Sequence, residues 1–383
     1  LEGTTTVSRE IMGRTLTITS GHLARQAHGA VTVQYGGTVV LVAAVCAPEP
    51  REGVDFLPLT VEYRERTYAA GKIPGGFFKR GGRPGEKEIL TARLIDRAVR
   101  PQLPKGLVNE TQIYALVIST DMENDSDTLA LIGASTALGV SDIPVSNLLG
   151  AVRIGRLNGQ FIINPTFEQV TQSELDVVVA ASREAIVMVE GEAEQVPEAV
   201  MVEAFELAQK HALEIIEMQK ELVAKVGKPK RDLPLKTIDA ELEKKVRALA
   251  GDSIQQAVRT EEKQARNRAM EQAKQAALDR LLQELGEADF TAAATAAREV
   301  VEKLEVEAVR RDIVQLGRRP DGRRLEEIRP ITAEINVLPR PHGSAIFTRG
   351  QTQALVVTTL GTGEDEQLME ELEREYKKNF MLY

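Results

Sequence analysis

Tryptophan is absent from these 383 residues, cysteine occurs once, histidine four times, and aromatic residues make up 4% of the chain. A single cysteine excludes an intrachain disulfide and points to a reducing compartment, so a cytoplasmic protein is expected. Cys46 follows the apolar run Val39-Val40-Leu41-Val42-Ala43-Ala44-Val45, where a small buried strand residue is expected rather than a reactive thiol. His22, His28, His211 and His342 are scattered, and with one cysteine they offer no zinc-type spacing. No apolar run approaches the length that spans a bilayer, so no membrane partner is expected. The opening Leu1-Glu2-Gly3-Thr4 has neither the basic nor the apolar region of a signal peptide. It also lacks an initiator Met, so a few preceding residues are expected.

The net charge of −9 argues against wholesale coating of nucleic acid but leaves room for a local basic groove. Such a region exists. Between Tyr63 and Lys105, eleven Lys and Arg residues are offset by only Glu65, Glu86, Glu88 and Asp96, leaving +7 in an acidic chain.

A chain of this length predicts two or three domains. The first 60 residues read as strands: 15–19 alternates with period two, and 30–45 is β-branched and broken by Gly36-Gly37, a hairpin signal. Further strands are predicted at 113–119, 175–181 and 185–189, and a small-residue helix packed on a sheet at 129–138. Residues 197–226 predict a long amphipathic helix, with Val200, Val202, Phe205, Leu207, Leu213 and Ile216 among its apolar positions. From about 238 to 316 the composition turns helical, and Gly251 and Gly286 are expected to divide it into three helices with Asp252 and Asp289 near the caps. Strand-like sequence then returns.

The returning sequence repeats the start. His28-Gly29, Gly36, Thr38 and Leu41-Val42 lie over His342-Gly343, Gly350, Thr352 and Leu355-Val356 at a constant offset of 314. The predicted fold class is therefore α+β, a duplicated domain flanking an all-helical insert, with the second copy truncated. The expected domains are 1–235, 236–315 and 316–383.

Residues 75–85, Gly-Gly-Phe-Phe-Lys-Arg-Gly-Gly-Arg-Pro-Gly, carry the chemistry. Glycines on both sides permit unusual backbone angles, and Phe77 and Phe78 stand next to Lys79 and Arg80, with Arg83 following. Aromatic faces for bases beside cations for phosphates suit single-stranded nucleic acid. The residues alone equally allow the two rings to pack beneath the loop. The following helix places Arg93, Arg97 and Arg100 on one face, beside a buried stripe marked by Leu90 and Leu94. A solvated face paired to Asp96 and Glu88 is one reading; three arginines and no lysine favour bidentate phosphate contacts. Two decoys fail. The glycine loop lacks the Gly-Lys-Ser/Thr of a P-loop. Residues 121–127 begin like a calcium loop but have Ser126 where Gly is needed and Ile132 where the acid belongs, so an exposed acidic turn is expected.

Residues 75–80, 88–97, Ser-Asp-Ile-Pro at 141–144, Arg-Pro-Asp-Gly-Arg at 319–323 and 342–353 together resemble the polynucleotide phosphorylase family, in order along the whole chain. The resemblance implies two ribonuclease-PH-like domains joined by a helical domain, in a homotrimeric ring with a central RNA channel. It implies 3′-to-5′ phosphorolysis of RNA to nucleoside diphosphates, reversible as template-independent polymerisation, in mRNA degradation and RNA processing. Single-stranded RNA, RNA-degradation assembly partners, Mg²⁺ or Mn²⁺, and inorganic phosphate as co-substrate follow from it. So does a place for Phe77, Phe78, Lys79 and Arg80 at the channel constriction, with Arg93, Arg97 and Arg100 continuing the RNA path. Gly81 departs from the family's acidic residue there. The family's catalytic arginines, Ser-rich phosphate loop and metal-binding Asp…Asp-x-Lys cluster are expected beyond Tyr383, as are KH and OB-type modules. No catalytic or metal residue is therefore expected in this chain. In the first copy Asp176 stands for one carboxylate, but Val178 replaces the lysine and Val170 the other Asp, while the acidic residues 124–127 stand where phosphate would bind. That copy is expected to guide RNA, not cut it. Arg340 and Arg349 are further candidates in the second copy, with surface-strand roles the competing reading. Two rival expectations are a noncatalytic RNA-binding scaffold and a helical adaptor that binds no RNA.

Overall fold

The computed structural model describes residues 3–11, 13–51, 53–75 and 79–382. It contains two compact units, Leu1–Lys236 with Gln367–Tyr383, and Thr237–Glu366.

In chain order the first unit contains β1 (Thr5–Ile11), β2 (Arg14–Ser20), β3 (Gly29–Tyr35), β4 (Thr38–Cys46), β5 (Leu59–Glu65), α1 (Glu86–Val99), β6 (Thr111–Ser119) and α2 (Asp127–Val140). It continues with β7 (Gly150–Leu157), β8 (Gln160–Ile163), α3 (Phe167–Val170), β9 (Leu175–Ala181), β10 (Ile186–Ala193) and α4 (Glu198–Val226). A six-stranded sheet runs β1-β2-β3-β4-β6-β5, antiparallel except for the β5–β6 pair. A second sheet runs β10-β9-β7-β8. Strict alternation along β4 sends Thr38, Val40, Val42, Ala44 and Cys46 inward, so Cys46 is the buried strand residue its neighbours predict.

Every residue of α2 is buried. The helix packs on β3 and β4 on one side and on α4 and β7 on the other. Its small residues make this possible. A Cβ on Gly133 would lie 2.4 Å from Val42 Cγ2, so only glycine lets helix and sheet approach this closely. The core-facing stripe of α4 is also small: Ala204, Ala208 and Ala212 lead into Ile215, Ile216, Met218 and Leu222. Of the six apolar positions expected to mark that helix only Ile216 is fully buried, and Val202 is exposed, because the close fit to α2 and β7 is made by alanines. On α1 the buried positions are Thr91, Leu94, Ile95, Ala98 and Val99, while the expected stripe residue Leu90 is exposed.

The second unit contains α5 (Ala240–Val258), α6 (Lys263–Leu285), α7 (Glu287–Leu316), β11 (Ile331–Ile335), β12 (Gly343–Arg349) and β13 (Thr352–Thr358). The three helices enclose their own apolar cluster, including Val246, Ile254, Met270, Leu281 and Val300. The first break falls at 259–262 rather than at Gly251, which lies inside α5 with Asp252. Asp239 caps α5 through Leu242 N, and Glu262 starts α6 by accepting from Gln264 N and Ala265 N. Those capping bonds outweigh the roughly 1 kcal/mol that glycine costs within a helix.

The repeat is visible in detail. Tyr35 pairs with Thr38 across the β3–β4 turn, and Arg349 with Thr352 across the β12–β13 turn, an offset of 314 at both positions. Gly36 and Gly350 take φ of 59° and 62°. His28 Nδ1 accepts from Cys46 N, and His342 Nδ1 from Leu360 N, again 314 apart. The chain is thus α+β, with a repeated strand–turn–strand unit before and after a helical stretch. The last strands, β14 (Gln367–Glu370) and β15 (Glu375–Lys378), form a hairpin grouped with the first unit.

Candidate nucleic-acid interface

The basic segment begins after β5. A short turn at Thr67–Ala70 ends on Gly71 in the left-handed region, φ 66°. The aromatic candidates Phe77 and Phe78 lie outside the described residues. Lys79, Arg80 and Arg83 are exposed, Lys79 with φ 49°. Arg64 donates to Gly82 O at 3.1 Å and so anchors the loop's second half. The Glu88 carboxylate accepts from Gly85 N at 2.7 Å and from Glu65 N at 2.8 Å, which caps α1 and ties its start to β5.

Arg93, Arg97 and Arg100 do share the exposed face of α1, but their states differ. Arg100 is clamped by Asp96 at 2.6 and 2.9 Å and donates to Leu57 O and Leu59 O. Arg97 pairs with Glu190 of β10. Among the described residues Arg93 pairs with no carboxylate. Exposed ion pairs contribute at most about 1 kcal/mol, so the pairing of Arg97 is weak enough to exchange for a phosphate. Arg340 and Arg349 are exposed in the second unit.

Behind α1 stands an arrangement that the sequence did not reveal. The expected exposed acidic turn at 121–127 is exposed only at Met122 and Glu123, while Asn124, Ser126 and Asp127 are enclosed. Two of its acids, Asp125 and Asp127, are held by cations. Arg153 on β7 reaches Asp125 at 3.1 Å, Asp127 at 2.7 Å and Asp176 on β9 at 2.8 Å. Lys87 on α1 reaches Glu65 at 3.0 Å, Asp125 at 3.4 Å and Glu373 at 2.7 Å, with the Phe167 ring 5.3 Å away. Tyr63 donates to Glu65 at 2.7 Å and lies 2.7 Å from Ser126 Oγ.

Five carboxylates around two cations leave negative charge in excess. Burial pushes the Asp127 carboxyl up against the pull of Arg153, and neighbouring Asp125 adds to the rise. Burial likewise raises Asp176 and Glu65. Asp125 goes the other way: burial opposes its charge, but Lys87 and Arg153 on either side lower its pKa. Burial also works against charge on Lys87, yet Asp125, Glu65 and Glu373 together raise its pKa.

Asp176, the one carboxylate expected to resemble the family's catalytic cluster, is thus engaged by a guanidinium, and Val178 beside it is buried. No group of His, Cys, Asp or Glu among the described residues could hold a metal ion. The only hint of this network in the sequence was the surplus of cations at 63–105, which counted Lys87 without distinguishing it from its exposed neighbours. Arg153 had no local signal, because its partners come from 23 to 28 residues away on other elements.

Known proteins resemble this chain along nearly its whole length. The family model described as 3′ exoribonuclease family, domain 1, matches twice, at 12–144 and 327–381, and the model for domain 2 of that family matches 147–211. The model described as polyribonucleotide nucleotidyltransferase, RNA binding domain, matches 241–324, the helical stretch. A polyribonucleotide nucleotidyltransferase of Heliobacterium modesticaldum is 48% identical over 98% of this chain and 52% of its own length. Those of Nitratidesulfovibrio vulgaris and Geobacter sulfurreducens are 48% and 47% identical, each over 98% of this chain and 50% and 53% of theirs. The chain therefore spans about half the length of the curated relatives it matches. Among solved structures, rice (Oryza sativa) Rrp46 aligns with 54% of this chain and 94% of its own at TM-score 0.44 and 16% identity, a likeness too slight to argue from. With the ordered series of models and near-complete coverage at almost half identity, the chain belongs to the polynucleotide phosphorylase family.

Proposed function

We propose that this chain guides single-stranded RNA in a 3′-to-5′ phosphorolytic exoribonuclease. The observation that carries the reading is the exposed basic run from Lys79, Arg80 and Arg83 to the Arg93–Arg97–Arg100 face of α1, in a protein otherwise acidic. In the reaction a phosphate oxygen attacks the phosphorus of the terminal 3′,5′-phosphodiester. The bond from that phosphorus to the 3′ oxygen breaks, the oxygen takes a proton, and a nucleoside diphosphate leaves. The bonds made and broken are alike in energy, so the reverse step, addition of a nucleotide, is accessible.

This chain's own residues bind and orient. Arg93 offers a guanidinium open to a backbone phosphate, and the loop places further cations along the strand. Phe77 and Phe78 belong to the same proposal as stacking faces. Mg²⁺ or Mn²⁺ and inorganic phosphate belong to the same proposed reaction. The carboxylates of this copy do not fit a metal, because Arg153 already occupies them. That observation also favours the second reading, in which the chain by itself is a noncatalytic RNA-binding scaffold. A homotrimeric ring, cytoplasmic RNA-degradation partners, and roles in mRNA degradation and RNA processing complete the proposal.

Filter binding of single-stranded RNA over a salt series tests it. Phosphate contacts predict affinity that falls steeply with salt, by about one power of salt per contact. Absence of binding overturns the guiding role. A parallel phosphorolysis assay on labelled poly(A) should yield no nucleoside diphosphate from this chain, and release of product overturns the noncatalytic assignment of the first copy.

A further inference from the structure

The β14–β15 hairpin, about 300 residues downstream, meets both flanks of the basic loop. On the near side Lys72 Nζ donates to Leu372 O at 3.1 Å. A Cβ on Gly75 would lie 2.1 Å from a Glu370 carboxylate oxygen, so the hairpin's Glu370 side chain closely approaches this end of the loop. On the far side Lys378 pairs with Glu86 at 3.2 Å and Lys87 with Glu373 at 2.7 Å. Leu372 at the hairpin's tip is 5% exposed and joins the unit's core, so the hairpin is seated and not merely adjacent.

Lys87 is where these fastenings meet. Its ammonium joins four parts of the unit: α1, Glu65 at the end of β5, Asp125 just before α2, and Glu373 of the hairpin. The side chains of Glu65 and Glu373 are each 8% exposed, so neither is well served by water instead. A compact ammonium with three donors suits three carboxylates arriving from different directions. Arg153 holds the far side of Asp125 and Tyr63 bonds Glu65, so two of the three carboxylates around Lys87 are themselves fixed and Glu373 is the one that Lys87 alone holds among the described residues.

We propose that Lys87 is a positioning residue for RNA binding: it touches no RNA, but it ties the first turn of α1 to the β14–β15 hairpin and so sets where α1 presents Arg93, Arg97 and Arg100. This rests on the guiding role proposed above. The geometry supplies a lever. Fourteen residues make α1 about 21 Å long at roughly 1.5 Å per residue, so a tilt of about 10° at its start moves the far end by about 4 Å. A shift of that size is enough to break a bidentate guanidinium–phosphate contact.

The experiment compares Lys87→Met, Glu373→Gln and Arg93→Ala in the full chain, by filter binding to oligo(A) over a salt series, with tyrosine emission confirming the fold. Glu373→Gln keeps the side chain's shape and removes only the hairpin's charge, so it decides the matter if Lys87→Met fails to fold. Arg93→Ala should reduce the slope of log affinity against log salt by about one contact. Lys87→Met should weaken binding about tenfold, and Glu373→Gln about threefold, with the slope unchanged, because the phosphate contacts remain in number and lose only alignment. Unaltered affinity in the folded Lys87 and Glu373 variants, beside a weakened Arg93 variant, overturns the positioning role and leaves RNA guiding intact. A reduced slope for Lys87→Met also overturns it, since Lys87 would then contact phosphate directly. Unchanged affinity and slope for Arg93→Ala overturn the guiding role itself.

Discussion

Arg153 and Asp121 show how differently two charged residues around the 121–127 turn stabilise the fold. Arg153 pairs with three carboxylates, and its side chain is 16% exposed. Removing it leaves Asp125, Asp127 and Asp176 facing one another with little water, so Arg153→Met should cost about 3–5 kcal/mol. All six tyrosines lie outside 237–366 and tryptophan is absent, so tyrosine emission during urea unfolding reports the first unit alone. A loss under about 1 kcal/mol would show that the carboxylates simply take up protons or water. Asp121 is stabilised by hydrogen bonds instead. Burial pushes its carboxyl up, but donors from Asn124, Glu123 and Gly37 together bring it down to about 2. A folded pKa below the unfolded one gives stability that is present above about pH 4 and lost as pH falls towards 2. Asp121→Asn should therefore destabilise at neutral pH by about 1 kcal/mol, a figure discounted for solvent screening. The gap to the unaltered protein should close between about pH 4 and 2 in the same urea assay. A gap that stays constant with pH would refute the assignment. The sequence marked 121–127 as acidic but could not show it buried, because burial there depends on Arg153 and Lys87 arriving from distant elements.

At the scale of elements, local signals were legible where periodicity and turn chemistry agreed. The Gly36-Gly37 hairpin, the alternation along β4 and the small-residue composition of α2 each led to the element that forms. They misled where tertiary fit outweighed them. Leu90 follows the apolar pattern of α1 yet is exposed, since the helix buries Thr91, Leu94 and Ile95 instead. Gly251 looked like a break, but α5 runs through it because its residues from Val246 to Val258 pack on α6 and α7. That correction makes a prediction. A Cβ at Gly251 meets nothing within 4 Å, and its backbone is not in the left-handed region. Gly251→Ala should stabilise α5 by about 0.5–1 kcal/mol, through helix propensity and a less flexible unfolded chain. Hydrogen exchange of α5 peptides measures it: slower exchange is expected, and faster exchange would mean that the helix is interrupted there after all.

At the scale of the whole molecule, the duplication was the most legible feature, because a constant offset of 314 needs no knowledge of packing. The register, the glycine turns and the His28 and His342 bonds carry it into three dimensions. Duplication also frames the division of labour proposed above. In the first copy the carboxylate that most resembles a catalytic one is paired with Arg153, while Lys79, Arg80, Arg83 and Arg93 are exposed. A copy relieved of chemistry can hold substrate at a distance from the bond that is cut, and a distant grip has a measurable signature. Phe77 and Phe78 would stack on bases far from the 3′ end, so only an RNA long enough to reach them gains from their presence. Base–aromatic stacking contributes about 1–3 kcal/mol per base, so Phe77→Ala with Phe78→Ala should weaken binding of long RNA at least about tenfold. Binding of a dinucleotide, which cannot span the distance, should be nearly unchanged. Competition between labelled long RNA and dinucleotide on the same preparation separates the two. Equal losses for both lengths would place the rings beside the terminal nucleotide, and equal retention would mean that they pack within the protein.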